Sequence, residues 1–286
     1  MCPQRPTPLA PSNREQARNW NGDGGGYWVA NADRFDETVA AYQSLFLATA
    51  DLRSADRVLD VGCGAGRTTL DVARRVSDGV VIGVDLSAPL LEVARLRAAV
   101  EGLRNATFLQ ADVQIHTFTP ASFDVVVSRH GAMFFGDPAA AFANIARCVR
   151  PGGRLVLLTW QAYELQEGRR TFLSILADGR DLPPQDDGPG PFALSDPARV
   201  RVVLSDAGFG DVDVRGVTEP MYVGTDPDDA CRFVCGHFGD LVRSLDPHAR
   251  RRTVAALRDD MAAHQTDRGV LYGSAAWVVT ARRSEE

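Results

Sequence analysis

Val58-Leu-Asp-Val-Gly-Cys-Gly-Ala-Gly-Arg67 is an apolar run that ends in three glycines at alternate positions and passes directly into a helical pattern. Glycines at that spacing let the backbone turn tightly after a strand and approach a ligand where any Cβ would collide. Alone the motif is weak, because it serves equally a nicotinamide or flavin cofactor, or merely ends a strand. Asp85 narrows the reading. It closes the next apolar run about 20 residues after the glycines, where a carboxylate accepts hydrogen bonds from both hydroxyls of a ribose.

Outward from this stretch, apolar runs alternate with helical periodicity. Strands are expected at 57–61, 80–85, 107–109, 123–128 and 154–160, and helices at 68–76, 89–100 and 139–148. Such alternation requires right-handed crossovers. The expected fold is therefore α/β: a Rossmann-like, doubly wound sheet with helices on both faces and ligands at the carboxyl ends of its strands. Beyond 160 come helices at 169–177 and 196–207, an exposed loop rich in Pro, Gly and Asp at 181–191, and closing strands at 211–217 and 275–280. The helical stretch between those strands, 226–266, is the expected lid insertion. At the other end, the glycine run of 21–26 predicts a mobile arm, followed by helices with Phe35, Val39, Tyr42 and Phe46 at helical spacing. The expected division is an arm and helical cap over 1–52 and one α/β domain over 53–286.

Composition excludes several classes. The 286 residues, 45% of them hydrophobic, suffice for one sizeable core. No run reaches the ~18 apolar residues that span a bilayer, and 1–21 is rich in Pro, Asn, Gln and Arg, so a cytoplasmic protein with no membrane partner is expected. A formal net charge of −6 disfavours nucleic acid, which needs a basic face to release counterions. A small molecule is the expected partner of a monomer or homodimer. All 31 Lys and Arg residues are arginine, which removes lysine Schiff-base chemistry and the phosphate-binding lysine of a P-loop. The five cysteines, Cys2, Cys63, Cys148, Cys231 and Cys235, are scattered and odd in number and read as free thiols. Cys231, Cys235 and His237 stand close in sequence, but without a fourth ligand or the third cysteine of an iron–sulfur site; no metal is expected.

Two further carboxylates separate the cofactor classes. Asp60 lies at the strand end where a dinucleotide fold brings an anionic pyrophosphate, whereas a cationic amino-sulfonium ligand favours it. Asp112, in Leu109-Gln-Ala-Asp-Val113, can accept an adenine amino group while the next backbone amide donates to the ring. Together with Asp85 they favour an adenosyl amino acid over NAD, and a nicotinamide-dependent oxidoreductase is the less favoured alternative.

Through VLDVGCGAGRTT (58–69), VIGVDLSAPLLEVAR (81–95), ADV (111–113), FDVVVSRHGAMFF (123–135) and RPGGRLVLLTW (150–160), the sequence resembles the class I S-adenosylmethionine (SAM) dependent methyltransferases. Within them it is similar to the small-molecule branch of the ubiquinone and menaquinone biosynthesis enzymes. The resemblance implies a mostly parallel seven-stranded sheet with an antiparallel last strand, plus helical lid elements. It also implies SAM as cofactor and S-adenosylhomocysteine (SAH) as product. Gly62, Cys63, Gly64 and Gly66 would border the methionine half, with Asp60 facing its amino group. Asp85 and Leu86 would hold the ribose, Asp112 and Val113 the adenine, and the Ser128 backbone the amino end. The likeness fades before 56 and after 160, where related enzymes vary to fit their acceptors.

Methyl transfer from a sulfonium is an in-line displacement whose leaving group needs no protonation, so positioning and desolvation supply much of the catalysis. An acceptor hydroxyl or acidic carbon still profits from a base, and His130 is the candidate. Arg129 is a candidate contact for an anionic acceptor. Tyr27, Trp28, Met133, Phe134 and Trp160, with Trp20 and Phe135, are the candidate wall of an apolar acceptor pocket. The expected reaction is transfer to oxygen or carbon, less favourably nitrogen, of a small metabolite; a cyclase, a decarboxylase or a regulatory SAM-binding module remains the alternative.

Overall fold

A computed structural model describes residues 7–182 and 188–285. The run that opens the sequence argument is strand β1 (Arg57–Val61), buried at every residue but the first. Four helices precede it, α1 (Arg14–Asn21), α2 (Asp23–Ala30), α3 (Ala32–Thr38) and α4 (Ala40–Thr49). After it alternate α5 (Arg67–Ala73), β2 (Val80–Asp85), α6 (Ala88–Glu101), β3 (Ala106–Gln110), β4 (Phe123–Arg129), α7 (Pro138–Cys148) and β5 (Val149–Trp160). The remainder is α8 (Glu167–Ala177), α9 (Pro197–Asp206), β6 (Phe209–Gly224), α10 (Pro227–His237), α11 (Gly239–Arg243), α12 (Pro247–Ala263), β7 (Gln265–Thr266) and β8 (Gly269–Arg283). Asp-Pro pairs start α7, α9, α10 and α12: the aspartate side chain caps a free backbone N–H and the proline, with no N–H of its own, takes the first turn.

The sheet runs β3-β2-β1-β4-β5-β8-β6. The first five strands are parallel, and β8 enters antiparallel between β5 and β6, giving the expected topology. The two-residue β7 pairs with β8 as an eighth strand. Strand order reverses at β1 and β4, so their carboxyl ends part around a crevice. Successive residues of a strand face opposite sides, and the core divides accordingly. Leu59, Val61, Val126, Phe142, Ile145 and Leu155 fill one face; Val58, Val125, Leu158, Tyr42 and Phe46 fill the other. A smaller core joins α8, α10 and α12 to the outer ends of β6 and β8 through Phe172, Val234, Leu257, Met261 and Tyr272.

Two expectations are corrected. The closing strands are 16 and 15 residues long, running well past the 211–217 and 275–280 expected. β6 is an edge strand of mixed burial that tolerates Pro220, so its apolar signal is diluted. The glycine run belongs to helix α2 rather than to a mobile arm: a Cβ on Gly25 would lie 2.0 Å from the Trp20 carbonyl oxygen, so glycine is what lets α1 fold back tightly on α2. Cys2 and residues 183–187 of the loop expected at 181–191 lie outside the described residues.

Candidate active site

A cavity of about 600 Å3 opens at the carboxyl ends of β1, β2 and β4. At its centre the chain leaves β1 through Gly62 and Gly64, at φ +68° and +51°. A Cβ on Gly62 would lie 2.6 Å from the Gly131 Cα, so the loops after β1 and β4 touch backbone to backbone; at Gly64 the space is open, leaving room for a ligand. The loop is held from β2. Asp85 accepts the Gly64 N–H and the Ser87 N–H, each at 2.8 Å. Burial pushes its carboxyl above the usual range, and those backbone bonds oppose the shift.

Of the residues expected to meet a cofactor, Gly62, Cys63, Gly64, Asp85, Leu86, Asp112 and Val113 line the cavity. Cys63 is an enclosed thiol whose pKa burial raises, an inert wall and no nucleophile. Three others stand behind the wall. Asp60 is almost fully enclosed and accepts the Thr69 hydroxyl at 2.6 Å, so it anchors α5 beneath the loop instead of facing an amino group. Burial pushes its pKa up to about 6, against the pull of Thr69 and Arg129. Gly66 is in the left-handed region at φ +85°, and a Cβ there would strike Ala94 of α6 at 2.7 Å; its smallness serves helix packing. The Ser128 hydroxyl donates to the Val61 carbonyl at 2.7 Å and accepts the Ala132 N–H at 3.0 Å, locking β4 to β1.

Asp112 is used differently from the expectation. Its Oδ2 accepts the Ala10 N–H at 2.8 Å, and its Oδ1 accepts the Asn13 side-chain amide at 2.8 Å and the Gln114 N–H at 3.0 Å. Asn13 in turn accepts the Gly136 N–H at 2.8 Å, and the Trp20 carbonyl accepts the Ser87 hydroxyl at 2.9 Å. Residues 10–21 thus lie across the end of the cavity beside Asp85 and Asp112, with Asn13 and Trp20 in its wall. Nothing in the polar sequence of this segment marks that role.

The other half of the cavity is aromatic. Trp20, Trp28, Phe134, Phe135 and Trp160 line it as expected, with Met133. Tyr27 does not: its hydroxyl donates to the Phe233 carbonyl at 2.8 Å and ties α2 to α10. Sequence reasoning missed Phe35, which stacks on Trp28 with centroids 3.5 Å apart, and the α10 pair Phe233 and His237 packed around it. It also missed Phe172, Arg169 and Phe192. Helical spacing marks Phe35 only as core; α10 reaches the site by tertiary folding alone. Cys231 and Cys235 share one face of α10 with sulfurs 4.0 Å apart, and among the described residues no cluster of three metal-ligating side chains forms around them.

His130 ends β4 at φ +58°, in the left-handed region that non-glycine residues rarely enter. Its ring stacks on Trp160 at 4.1 Å, and both ring nitrogens are buried without a partner. Burial, reinforced by Arg129, pushes its pKa down to about 3. Such an imidazole is neutral near pH 7 and a weak base, which argues against the general-base role expected for it. Arg129, expected to meet the acceptor, donates through Nη2 to Asp36 of α3 at 2.6 Å, while its Nη1 is buried and unpartnered. A glycine cradle, a carboxylate at the end of β2 and orphaned polar atoms at the end of β4 fit an adenosyl amino acid.

This fold and this cradle define a Rossmann-like, doubly wound α/β domain with a ligand cavity at the carboxyl ends of its strands. Residues 58–153 match the family model of the methyltransferase domain. It is 36% identical over 138 residues to an uncharacterized methyltransferase, YcgJ, of Bacillus subtilis, covering 47% of this chain and 54% of that one. To the aklanonic acid methyltransferase DauC of Streptomyces sp. (strain C5) it is 36% identical over 103 residues, 36% of this chain and 47% of that one. The chain thus spans about half the length of the curated relatives it matches. The crystal structure of the Bacillus YcgJ protein superposes with a TM-score of 0.58 over 85% of this chain and 98% of that one, at 21% identity.

Proposed function

We propose that this chain is an enzyme that transfers the methyl group of SAM to oxygen or carbon of a small, largely apolar metabolite, leaving SAH. The observation that carries the reading is one continuous cavity with the Gly62–Gly64 cradle and Asp85 at one end and an aromatic chamber at the other. The bound cofactor supplies an electrophilic methyl group on a sulfonium. The chain's own residues then do three things. Asp85 and the glycine loop hold the adenosyl amino acid. Residues 10–21 and the 226–266 segment act as lids that exclude water. Trp28, Phe35, Phe172, Phe192 and Phe233 orient a flat apolar acceptor. The likeness to DauC, named as an aklanonic acid methyltransferase, supports a small-molecule acceptor, and the proposal extends to a place in specialised metabolism. The acidic net charge supports a small molecule rather than nucleic acid as the partner, and the proposal is of a cytoplasmic monomer or homodimer.

Calorimetric titration with SAM, SAH and NAD in parallel tests the reading. Micromolar binding of the first two without NAD supports it; NAD binding without them overturns it.

Two consequences concern the lid and the histidine. Asn13→Ala removes two buried hydrogen bonds and leaves the Gly136 N–H unpaired, a loss of about 1–3 kcal/mol. Stopped-flow measurement is expected to find SAH leaving roughly 10-fold faster. An unchanged rate would show that residues 10–21 do not gate the cofactor. His130, with its pKa near 3, stays neutral at every pH above about 4, its ring stacked on Trp160. The pH profile of kcat is expected to carry no inflection between pH 5 and 8 that disappears in His130→Phe. An inflection that the variant abolishes would restore the general base.

A further inference from the structure

A chain of charged groups connects the end of β4 to the glycine loop. Arg129 Nη2 donates to Asp36 Oδ1 at 2.6 Å, Asp36 Oδ2 accepts Arg97 Nη1 at 2.9 Å, and that same nitrogen donates to the Ala65 carbonyl at 2.9 Å. The side chains of Arg129, Asp36 and Arg97 are 11%, 15% and 20% exposed, whereas Asp33, which also pairs with Arg97, lies almost wholly in solvent. Two enclosed arginines therefore share one enclosed carboxylate, and Arg97 takes the exposed Asp33 as a second partner. Arg129 lines the cavity wall, and its Nη1 is buried with no hydrogen-bond partner. An unpaired buried guanidinium N–H is costly, and the group that satisfies it best is an oxygen anion.

Beside the Gly62–Gly64 cradle, with Asp85 on the ribose side, the amino-acid end of the proposed cofactor is the part that brings an anion to this place. We propose that Arg129 binds the carboxylate of the methionyl half of SAM through Nη1, with Asp36 as the residue that positions the guanidinium; this rests on the SAM reading above. Asp36 belongs to α3, so the carboxylate site is complete only when the N-terminal helices are seated over the sheet edge. Arg97 ties the same aspartate to the glycine loop, and one carboxylate thereby sets the distance between loop and arginine.

The test compares SAH with 5′-methylthioadenosine, which keeps the adenosine and the thioether but lacks the amino-acid head. Both are titrated calorimetrically into the full chain. Arg129→Gln is expected to weaken SAH roughly 10- to 100-fold, the range for a hydrogen bond to a charged group, and to leave methylthioadenosine within about twofold. Arg129→Lys, which restores a point charge without the fork, is expected to recover part of the SAH affinity and covers the case in which the glutamine variant does not fold. Asp36→Asn is expected to weaken SAH alone, by roughly threefold to 10-fold. Equal losses for both ligands would overturn the assignment in favour of a structural role. Undiminished SAH affinity with a raised acceptor KM would overturn it in favour of an acceptor anion. A wild-type chain that binds neither ligand would overturn the cofactor reading and the assignment with it.

Discussion

Asp85→Ala is expected to weaken SAH binding by about 100-fold or more. Two losses combine. The carboxylate accepts hydrogen bonds from the ribose hydroxyls in the proposed complex, and a bond to a charged group is worth about 1.5–3 kcal/mol. The same carboxylate anchors the N–H groups of Gly64 and Ser87 at 2.8 Å, so the cradle itself loosens. Asp85→Asn keeps one acceptor oxygen and is expected to lose only about 10-fold. Calorimetric titration reads both, and an alanine variant that binds SAH within threefold of wild type would reject Asp85 as the ribose residue.

Gly131→Ala should damage the cradle directly, because its added methyl group meets the backbone that leaves β1. Gly131 has ordinary helical backbone angles, φ −92° and ψ −44°, so alanine is tolerated conformationally there. The obstacle is space: the added Cβ would lie 2.7 Å from the Val61 carbonyl oxygen and 2.8 Å from the Gly62 Cα. Neither is the end of a flexible side chain, and two strand ends have to move apart. Overpacking of this kind costs about 1–3 kcal/mol, a fall in melting temperature of about 2–5 °C for a chain of this size. Because the atom that must move is in the cradle, SAH affinity is expected to drop by an order of magnitude or more. Scanning calorimetry and titration measure the two effects; a variant that melts and binds like wild type would show that the β1 and β4 loops are not in contact.

The parts of the fold that the sequence discloses are those governed by local physics. Buried parallel strands need continuous apolar runs, and 57–61 and 80–85 coincide with β1 and β2 to the residue. The glycine loop is a strand, a turn and a helix in succession, and Gly62, Gly64 and Asp85 line the cavity, whereas Gly66 packs against α6. What escaped the reading depends on partners distant in the chain. Asp60 resembles a ligand until Thr69, one strand-to-helix turn later, is seen to take its carboxylate. Asp112 resembles an adenine contact, but the residues that bind it are Ala10 and Asn13, about 100 positions away in a segment with no periodicity. Arg129 lies 93 positions from Asp36, and no spacing rule joins them. His130 shows the remaining gap: its identity is legible, but its basicity is set by burial against Trp160, which only the fold supplies.

The walls of the cavity also have an optical consequence. Of the four tryptophans, Trp20, Trp28 and Trp160 line it, and Trp277 donates its indole N–H to the Ser195 carbonyl away from it. Trp20 belongs to the segment laid across the end beside Asp85 and Asp112, Trp28 to the aromatic chamber and Trp160 to the floor beside His130. Ligand entry changes the polarity and packing around three of the four indoles at once. The unlabelled chain therefore reports on its own occupancy through ultraviolet emission, and replacing these tryptophans one at a time with phenylalanine resolves which end of the cavity fills first.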